Sequence, residues 1–375
     1  MQRDEYFLGR GVHLDEPPMS ISAKRVLITG GAGFIGANLV RQLRAATPGA
    51  EIRILDNETL GSRSAVEAYD VEFVAGDVRD RACVRAALDQ VDIVVHLAAA
   101  TTVMNSIADP RHTFETNVVA THDLLLSMVD LGVPTIVNAS TGGAIVGDAA
   151  PPLHEAMPLC PTSPYGASKM AVEGYLSAFA GAFGLAATSL RFANVYGPGS
   201  THKSSVVAAI FNKIRRQEPL PVYGDGLQTR DFVYVDDVCA GIMQAMAADK
   251  AGTFQLGTGV GTTLLDLLGE IRTVVGAEQM PPVHHLPARQ GEVRHAWCDI
   301  SRARREIGYA PTMSLSAGLR RTWAWFQSLG LAHTEPAHTG PLHAASAHNA
   351  TGAPGDSDGA GAPAATHRPA VAVGR

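Results

Sequence analysis

Two groups of residues have the types and spacing to do chemistry. The first is Tyr165-Gly-Ala-Ser-Lys169. A spacing of four on a helix puts a phenol and an ammonium on one face, one turn apart. An ammonium beside a phenol favours the phenolate, so the spacing predicts a tyrosine with its pKa lowered from the ordinary ~10. Such a tyrosine is a general base near neutral pH. The second group is Thr29-Gly-Gly-Ala-Gly-Phe-Ile-Gly36. Gly30, Gly31, Gly33 and Gly36 let the backbone turn sharply and approach a pyrophosphate. A helix opening at Phe34 and Ile35 then offers free N–H groups and a positive dipole end to the phosphates.

Asp56 lies 20 positions beyond Gly36, where a carboxylate accepts from both ribose hydroxyls of a dinucleotide. It repels a 2′-phosphate, so NAD is favoured over NADP. Arg53 and Arg63 lie close enough in sequence to dilute that preference. Asp77 follows a third apolar run and is placed to meet an adenine. His96-Leu-Ala-Ala99 closes a fourth run with small residues that admit a cofactor.

These residues need a scaffold, and the hydrophobic pattern supplies one. Strand-like runs at 25–29, 52–56, 71–75, 92–97, 135–139 and 187–192 alternate with helix-like stretches at 33–45, 79–88, 110–131 and 165–183. That alternation predicts an α/β fold, a Rossmann doubly wound parallel sheet, over 24–195. After Gly197 the pattern loosens. Residues 205–217 and 264–275 read as helices, with a turn-rich stretch between them. A smaller mixed α/β substrate domain, partly interleaved with the first, is expected over 196–331. Residues 1–23 are a charged extension without a signal-peptide core, and Met19 is an alternative start. Residues 332–375 lack Phe, Tyr, Trp and Ile and are expected to be a disordered tail. Its five histidines are read as solvated rather than as a metal site.

Composition narrows the function class. Apolar residues make up 46% and charged residues 18%, enough for a full core. A net charge of −6 argues against a nucleic-acid binder. No run approaches the ~18 apolar residues of a membrane span. Cys83, Cys160, Cys239 and Cys298 form no Cys-x-x-Cys pair, so no metal site is expected and a cytoplasmic setting is.

The chain resembles the extended short-chain dehydrogenases/reductases, within the NAD-dependent sugar-nucleotide epimerase/dehydratase family, of the UDP-glucose 4-epimerase kind. The resemblance spans about residues 24–330. It rests on 29–36, Asp56-Asn57, Gly76-Asp77-Val78, His96–Ala99, Asn117, Ser140-Thr141, Ser163–Lys169, Arg191–Pro198, Val222–Gly226, Thr229–Asp237, Leu256–Gly259 and Pro287–Arg294. It implies that Tyr165 and Lys169 act on a sugar 4-hydroxyl while NAD⁺ takes and returns the C4 hydride through a 4-keto intermediate. Gly30, Gly33, Phe34, Ile35, Gly36, Asp56, Asn57, Asp77, Val78, Leu97, Ala98, Ala99 and Asn117, with Tyr165 and Lys169, would hold the cofactor. Asn194, Arg230 and Arg289 would hold the nucleotide diphosphate, Tyr223 the base and Glu292 the ribose. A homodimer through the helices near 110–131 and 165–183 is implied as well.

One position departs from the family pattern. A Ser or Thr usually stands where Gly142 is, five residues before Gly147. Thr141 is assigned that hydroxyl, with Ser140 as the alternative. Dehydratases carry an Asp-Glu pair after the Thr, and decarboxylating relatives often a Glu; Gly142-Gly143 supplies neither. Elimination of water needs an additional acid and base, so the segment favours an NDP-sugar 4-epimerase over a dehydratase, decarboxylase or reductase. A non-catalytic NAD-binding regulatory protein is the reading from a different class. Ala296, where relatives carry a gating tyrosine, would leave room for a larger sugar substituent.

Overall fold

The computed structural model describes residues 24–201, 205–248, 250–288 and 293–330. The N-terminal extension, the tail, Arg289 and Glu292 lie outside them.

The core is a seven-stranded sheet in which every neighbouring pair is parallel. Its strands are β1 (Arg25–Thr29), β2 (Glu51–Asp56), β3 (Glu72–Ala75), β4 (Ile93–His96), β5 (Thr135–Thr141), β6 (Ala186–Phe192) and, further along the chain, β11 (Gly252–Leu256), in the order β11-β6-β5-β4-β1-β2-β3. The order reverses between β1 and β4. A crevice for a dinucleotide opens at such a switch, outside the carboxyl ends of the strands. The strands are apolar on both faces, as a sheet covered on both sides requires. On β1, Val26 and Ile28 enter one core with α1 (Phe34–Ala46) and α9 (Val235–Ala248). Leu27 enters the other, with α2 (Arg81–Ala87), α5 (Ala120–Leu131) and α7 (Pro164–Phe183).

Between β4 and α5 run α3 (Val103–Ala108), α4 (Pro110–Phe114) and a π-helical turn at Glu115–Val119. A single helix over 110–131 was expected; it is instead widened by that turn. After β5 comes the short α6 (Gly143–Val146). Beyond β6 come β7 (Asn194–Tyr196), α8 (Val206–Arg216) and then β8 (Leu220–Tyr223), β9 (Thr229–Arg230) and β10 (Phe232–Tyr234). Then follow β12 (Thr262–Thr263), α10 (Leu264–Val275), β13 (Val283–Leu286), β14 (His295–Ala296), α11 (Ser301–Ile307) and α12 (Leu315–Ser328). A third core of Phe211, Leu267, Trp323 and Phe326 joins α8, α10 and α12.

The stretch between the two expected C-terminal helices is not only turns. It contains α9, whose Val238, Cys239, Ile242 and Met246 are buried at helical spacing, and β11, which pairs with β6. Gly241 sits inside that helix for a packing reason: a Cβ there would lie 2.7 Å from Leu256 Cδ1 and 3.0 Å from the Tyr309 ring.

Candidate active site

The glycine loop connects β1 to α1 at the switch point. Gly30 has φ +70°, and a Cβ on it would lie 2.8 Å from the Ala98 nitrogen. The same contact draws Leu97 and Ala98, at the end of β4, against the loop. A Cβ on Gly36 would lie 2.4 Å from the Gly30 carbonyl, so the helix can start this close to the turn only with glycine. Gly33 differs. Its missing side chain meets only the Gly30 carbonyl, at 3.3 Å, and no side chain caps α1 there. The backbone is open on the side where a pyrophosphate would sit, with the dipole end of a thirteen-residue helix behind it. Phe34 and Ile35 form the first turn. Gly61 carries no sequence signal, yet a Cβ on it would lie 2.3 Å from the Ala32 carbonyl and 2.7 Å from the Gly33 nitrogen.

Asp56 ends β2, buried; its carboxylate accepts from the Ala32 N–H at 3.0 Å and the Glu58 N–H at 2.8 Å. The loop and the acid are thus one unit. Arg53 does not dilute the charge of Asp56. It is buried, paired with Glu72 at 2.7 Å and bonded to the carbonyls of Ala87 and Asp89. Arg63 lies over the Phe73 ring, 5.2 Å from its centroid. Asn57 donates to Asp77 at 2.9 Å. A two-point pair with Arg79 holds the Asp77 carboxyl well below the usual carboxylate range. Val78, beside it, is buried in the core around α2.

His96 is buried between two hydroxyls, with Thr29 at 2.7 Å from Nδ1 and Thr121 at 2.9 Å from Nε2. Thr121 donates its own proton to the Asn117 carbonyl at 2.6 Å. His96 must therefore carry its proton on Nε2 and accept from Thr29 on Nδ1. Burial, with the Lys169 charge adding to it, lowers this imidazole to about 3. It stays neutral and ties β1 to the start of α5. Asn117 in that turn accepts from the Ala100 N–H at 2.7 Å and donates to the Ala100 carbonyl at 3.0 Å and to Ser168 at 2.9 Å. Ser168 in turn donates to the Tyr165 carbonyl at 2.8 Å. Asn117 thus clamps the segment after Ala99 to the Tyr–Lys helix. Mid-helix π turns recur at functional sites for this kind of reason.

Helix α7 starts with Ser163 capping the Gly166 N–H and Pro164 in its first turn. Tyr165 and Lys169 follow on one face. The hydroxyl of Thr141, the last residue of β5, stands by the Tyr165 phenol and favours its ionised form. Ser140 is not available to it: its hydroxyl donates to Glu173 at 2.6 Å. The expected acidification of the phenol is not found. Burial raises Tyr165 to about 12 and the Thr141 hydroxyl only partly offsets it. The Lys169 ammonium donates to the Ala139 carbonyl at 2.8 Å. In this arrangement desolvation outweighs the neighbouring charge.

Lys169 is itself lowered from 10.5 to about 8, first by burial, against the opposing pull of Glu173. The folded state therefore holds this proton less tightly than the unfolded chain. The penalty is full below pH 8, fades as pH rises from about 8 to 10.5, and vanishes above. Lys169→Met is expected to be more stable than the parent at pH 7, on the order of 2 kcal/mol, with the difference shrinking by pH 10. Denaturant unfolding at the two pH values checks this. A Met variant less stable at pH 7 would show that the ammonium helps hold the fold.

Asn194, Tyr223 and Arg230 come together. They line a cavity of about 350 Å³ with Ser205, Lys213 and Gln228. Arg230 is oriented by a bond to the Thr229 carbonyl at 2.8 Å. The Ser205 hydroxyl is buried there, with no hydrogen-bond partner among the described residues, at the start of α8. Ala296 packs against Ile145, Val146 and Leu153, the segment that follows Thr141. Among the described residues no cluster of acidic, His and Cys side chains could hold a metal, and no helix is long and apolar enough to cross a membrane.

The NAD dependent epimerase/dehydratase family model matches residues 26–257, from β1 to the end of β11. The chain belongs to this family. The UDP-glucose 4-epimerase of Mycolicibacterium smegmatis is 36% identical over 313 residues, covering 81% of this chain and 99% of that protein. The solved UDP-glucose 4-epimerase of Thermotoga maritima, with UDP-glucose, superposes with a TM-score of 0.76 at 34% identity, covering 81% and 99% of the two chains. A second branch of the family is as similar. The solved dTDP-glucose 4,6-dehydratase of Streptomyces venezuelae, with NAD, has a TM-score of 0.75 at 35% identity, covering 81% and 97%. Overall similarity therefore does not choose between the branches, and the residues around Thr141 must.

Proposed function

We propose that this family member is an NAD-dependent NDP-sugar 4-epimerase, acting on a UDP-sugar. One observation carries the reading. The Tyr165 phenol and Thr141 hydroxyl stand together, and the next two residues, Gly142 and Gly143, bring no carboxylate. A Cβ on Gly143 would meet nothing within 4 Å. The site can move one proton at a hydroxyl, and it lacks the extra acid and base that elimination needs.

The glycine loop, the first turn of α1, Asp56 and the clamp around Asn117 fit a dinucleotide; NAD, when bound, supplies the acceptor and donor of a hydride. In its phenolate form Tyr165 takes the proton of the sugar 4-hydroxyl as the C4 hydride leaves, and returns it when the hydride comes back to the other face. Thr141 orients the phenol. Lys169, still protonated at neutral pH, offsets the phenolate charge. Asn194 and Arg230 are assigned to the diphosphate and Tyr223 to the base, since a guanidinium fork suits phosphate oxygens. Arg289 and Glu292 remain assigned from the sequence.

A panel of NDP-sugars analysed by mass tests the reading. Epimerisation gives an isomer of unchanged mass. Loss of water, loss of carbon dioxide or stoichiometric cofactor consumption would instead mark a dehydratase, a decarboxylase or a reductase. Binding of NAD with no product from any sugar would favour the non-catalytic regulatory reading. Asp56→Ser is expected to weaken NAD binding about 10-fold or more, the worth of charge-assisted hydrogen bonds, and to narrow the gap to NADP; titration with both nucleotides measures it.

A homodimer in the cytoplasm completes the reading. Met104, Ile107, Phe114, Val119, Tyr175 and Phe183 are exposed on α3, α4, the π turn and α7. An apolar face of this extent is the kind a second copy covers. Light scattering is expected to give twice the chain mass, and a monomer at micromolar concentration would refute the pairing.

A further inference from the structure

A buried charge pair lies beneath Tyr165 and Lys169 that the reaction scheme does not use. Glu173 stands one turn beyond Lys169, so the three side chains run along one face of α7. Lys169 and Glu173 are 5% and 9% exposed. The Glu173 carboxylate accepts from Arg191 Nε at 2.9 Å, from Arg191 Nη2 at 2.7 Å and from the Ser140 hydroxyl at 2.6 Å. Arg191 is in register with Ser140 across β5 and β6. Lys169 bonds the carbonyl of Ala139, the residue before Ser140. The last residues of β5 thus touch both members of the cluster.

Buried ion pairs contribute little net stability, and apolar replacements are often as stable. Its position suggests another role. Lys169 faces Tyr165 and Glu173 from its own helix and neutral His96 from β4, while cationic Arg191 from β6 grips Glu173. Charged groups on α4, the π turn and α5 engage elsewhere: Arg111 pairs with Glu115, and His122 stands by Asp123. His112 and Asp130 are exposed. Among the described residues of α7 and the elements packed on it, Glu173 is the one buried carboxylate. Without it, two cations would share the interior beneath the phenol.

We propose that Glu173 is a positioning residue for Lys169: gripped by Arg191 and Ser140, it supplies the interior negative charge that keeps Lys169 an ammonium under Tyr165 at neutral pH. The consequence for turnover rests on the acid–base reading above, whereas the charge coupling does not. The direction agrees with the upward pull of Glu173 on a lysine that burial lowers.

The sequence has five lysines, so protein labelled with ¹³C at lysine Cε gives few resonances, and Lys169→Met identifies the one that matters. Its pH inflection is expected to fall by about 1 unit or more in Glu173→Gln, which keeps the shape and an acceptor for Ser140. It is expected to rise in Arg191→Met, which frees the carboxylate to face Lys169. Loosened packing does not displace one group in opposite directions, and either variant alone reads one direction. An unmoved inflection, or two shifts of the same sign, overturns the proposal. The pH midpoint of turnover, measured alongside, separates the two readings. If the inflection moves and turnover does not follow, Lys169 is not part of the acid–base pair and the coupling stands. If turnover depends on Tyr165 and Lys169 but the inflection stays fixed, the coupling fails alone.

Discussion

Tyr165→Phe is expected to lower turnover by about 10²- to 10⁴-fold, the usual worth of a positioned general base, with NAD binding retained. The ring stays at the start of α7 and only the hydroxyl is lost. Thr141 cannot replace it, because an aliphatic hydroxyl is a far weaker acid than a phenol. Tyr165 is only one of the contacts expected to hold the dinucleotide; most lie on the glycine loop, Asp56 and the Asn117 clamp, so loss of the phenol oxygen alone is not expected to release it. Turnover on the sugar accepted by the parent, with nucleotide content measured after denaturation, checks both halves. A variant that turns over normally would remove Tyr165 from the chemistry. One that has lost its nucleotide would instead give the phenol a binding role.

The second large effect concerns the loop. Gly36→Ala is expected to abolish retention of NAD, at least about 100-fold in affinity, and to lower the melting temperature. The added carbon would lie 2.4 Å from the Gly30 carbonyl, 2.6 Å from Gly31 Cα and 2.7 Å from the Gly31 carbonyl. All three are backbone atoms, so no side chain can swing away, and the strain of about 1–3 kcal/mol or more falls on the turn itself. Gly269→Ala in α10 is the control. Nothing lies within 4 Å of its Cβ, so it gains up to about 1 kcal/mol of helix propensity. Calorimetric NAD titration of both variants decides; equal affinities would mean that the loop has room the distances deny.

The glycine loop, the strand–helix alternation and the Tyr–Lys spacing were legible because each is a local pattern with one physical solution. The choice between Ser140 and Thr141 was not. Successive strand residues face opposite sides, and the apolar run that marks β5 stops at Ala139. The strand in fact continues two residues, because Ser140 and Thr141 pair with Arg191 and Phe192. Parity then sends one hydroxyl to Glu173 and the other to the phenol. Helix α9 and strand β11 were hidden for a different reason. Buried Asp237 and Gln255 interrupt their apolar patterns, and Gly241 looks like a turn until its neighbours are known. The raised phenol pKa was out of reach too, since spacing shows which charges are close but not how much water is excluded.

The placement of β11 bears on how the enzyme is made. Residues up to 195 carry the glycine loop, Thr141, Tyr165 and Lys169, yet on the ribosome that segment would leave β6 with a bare row of amides and carbonyls, an invitation to pair with another chain. That row on β6 is covered only when Gly252–Leu256 has emerged and docked. A truncation meant to isolate the nucleotide-binding half should therefore end after Leu256, where the family match also ends, and not at the last residue of the chemistry.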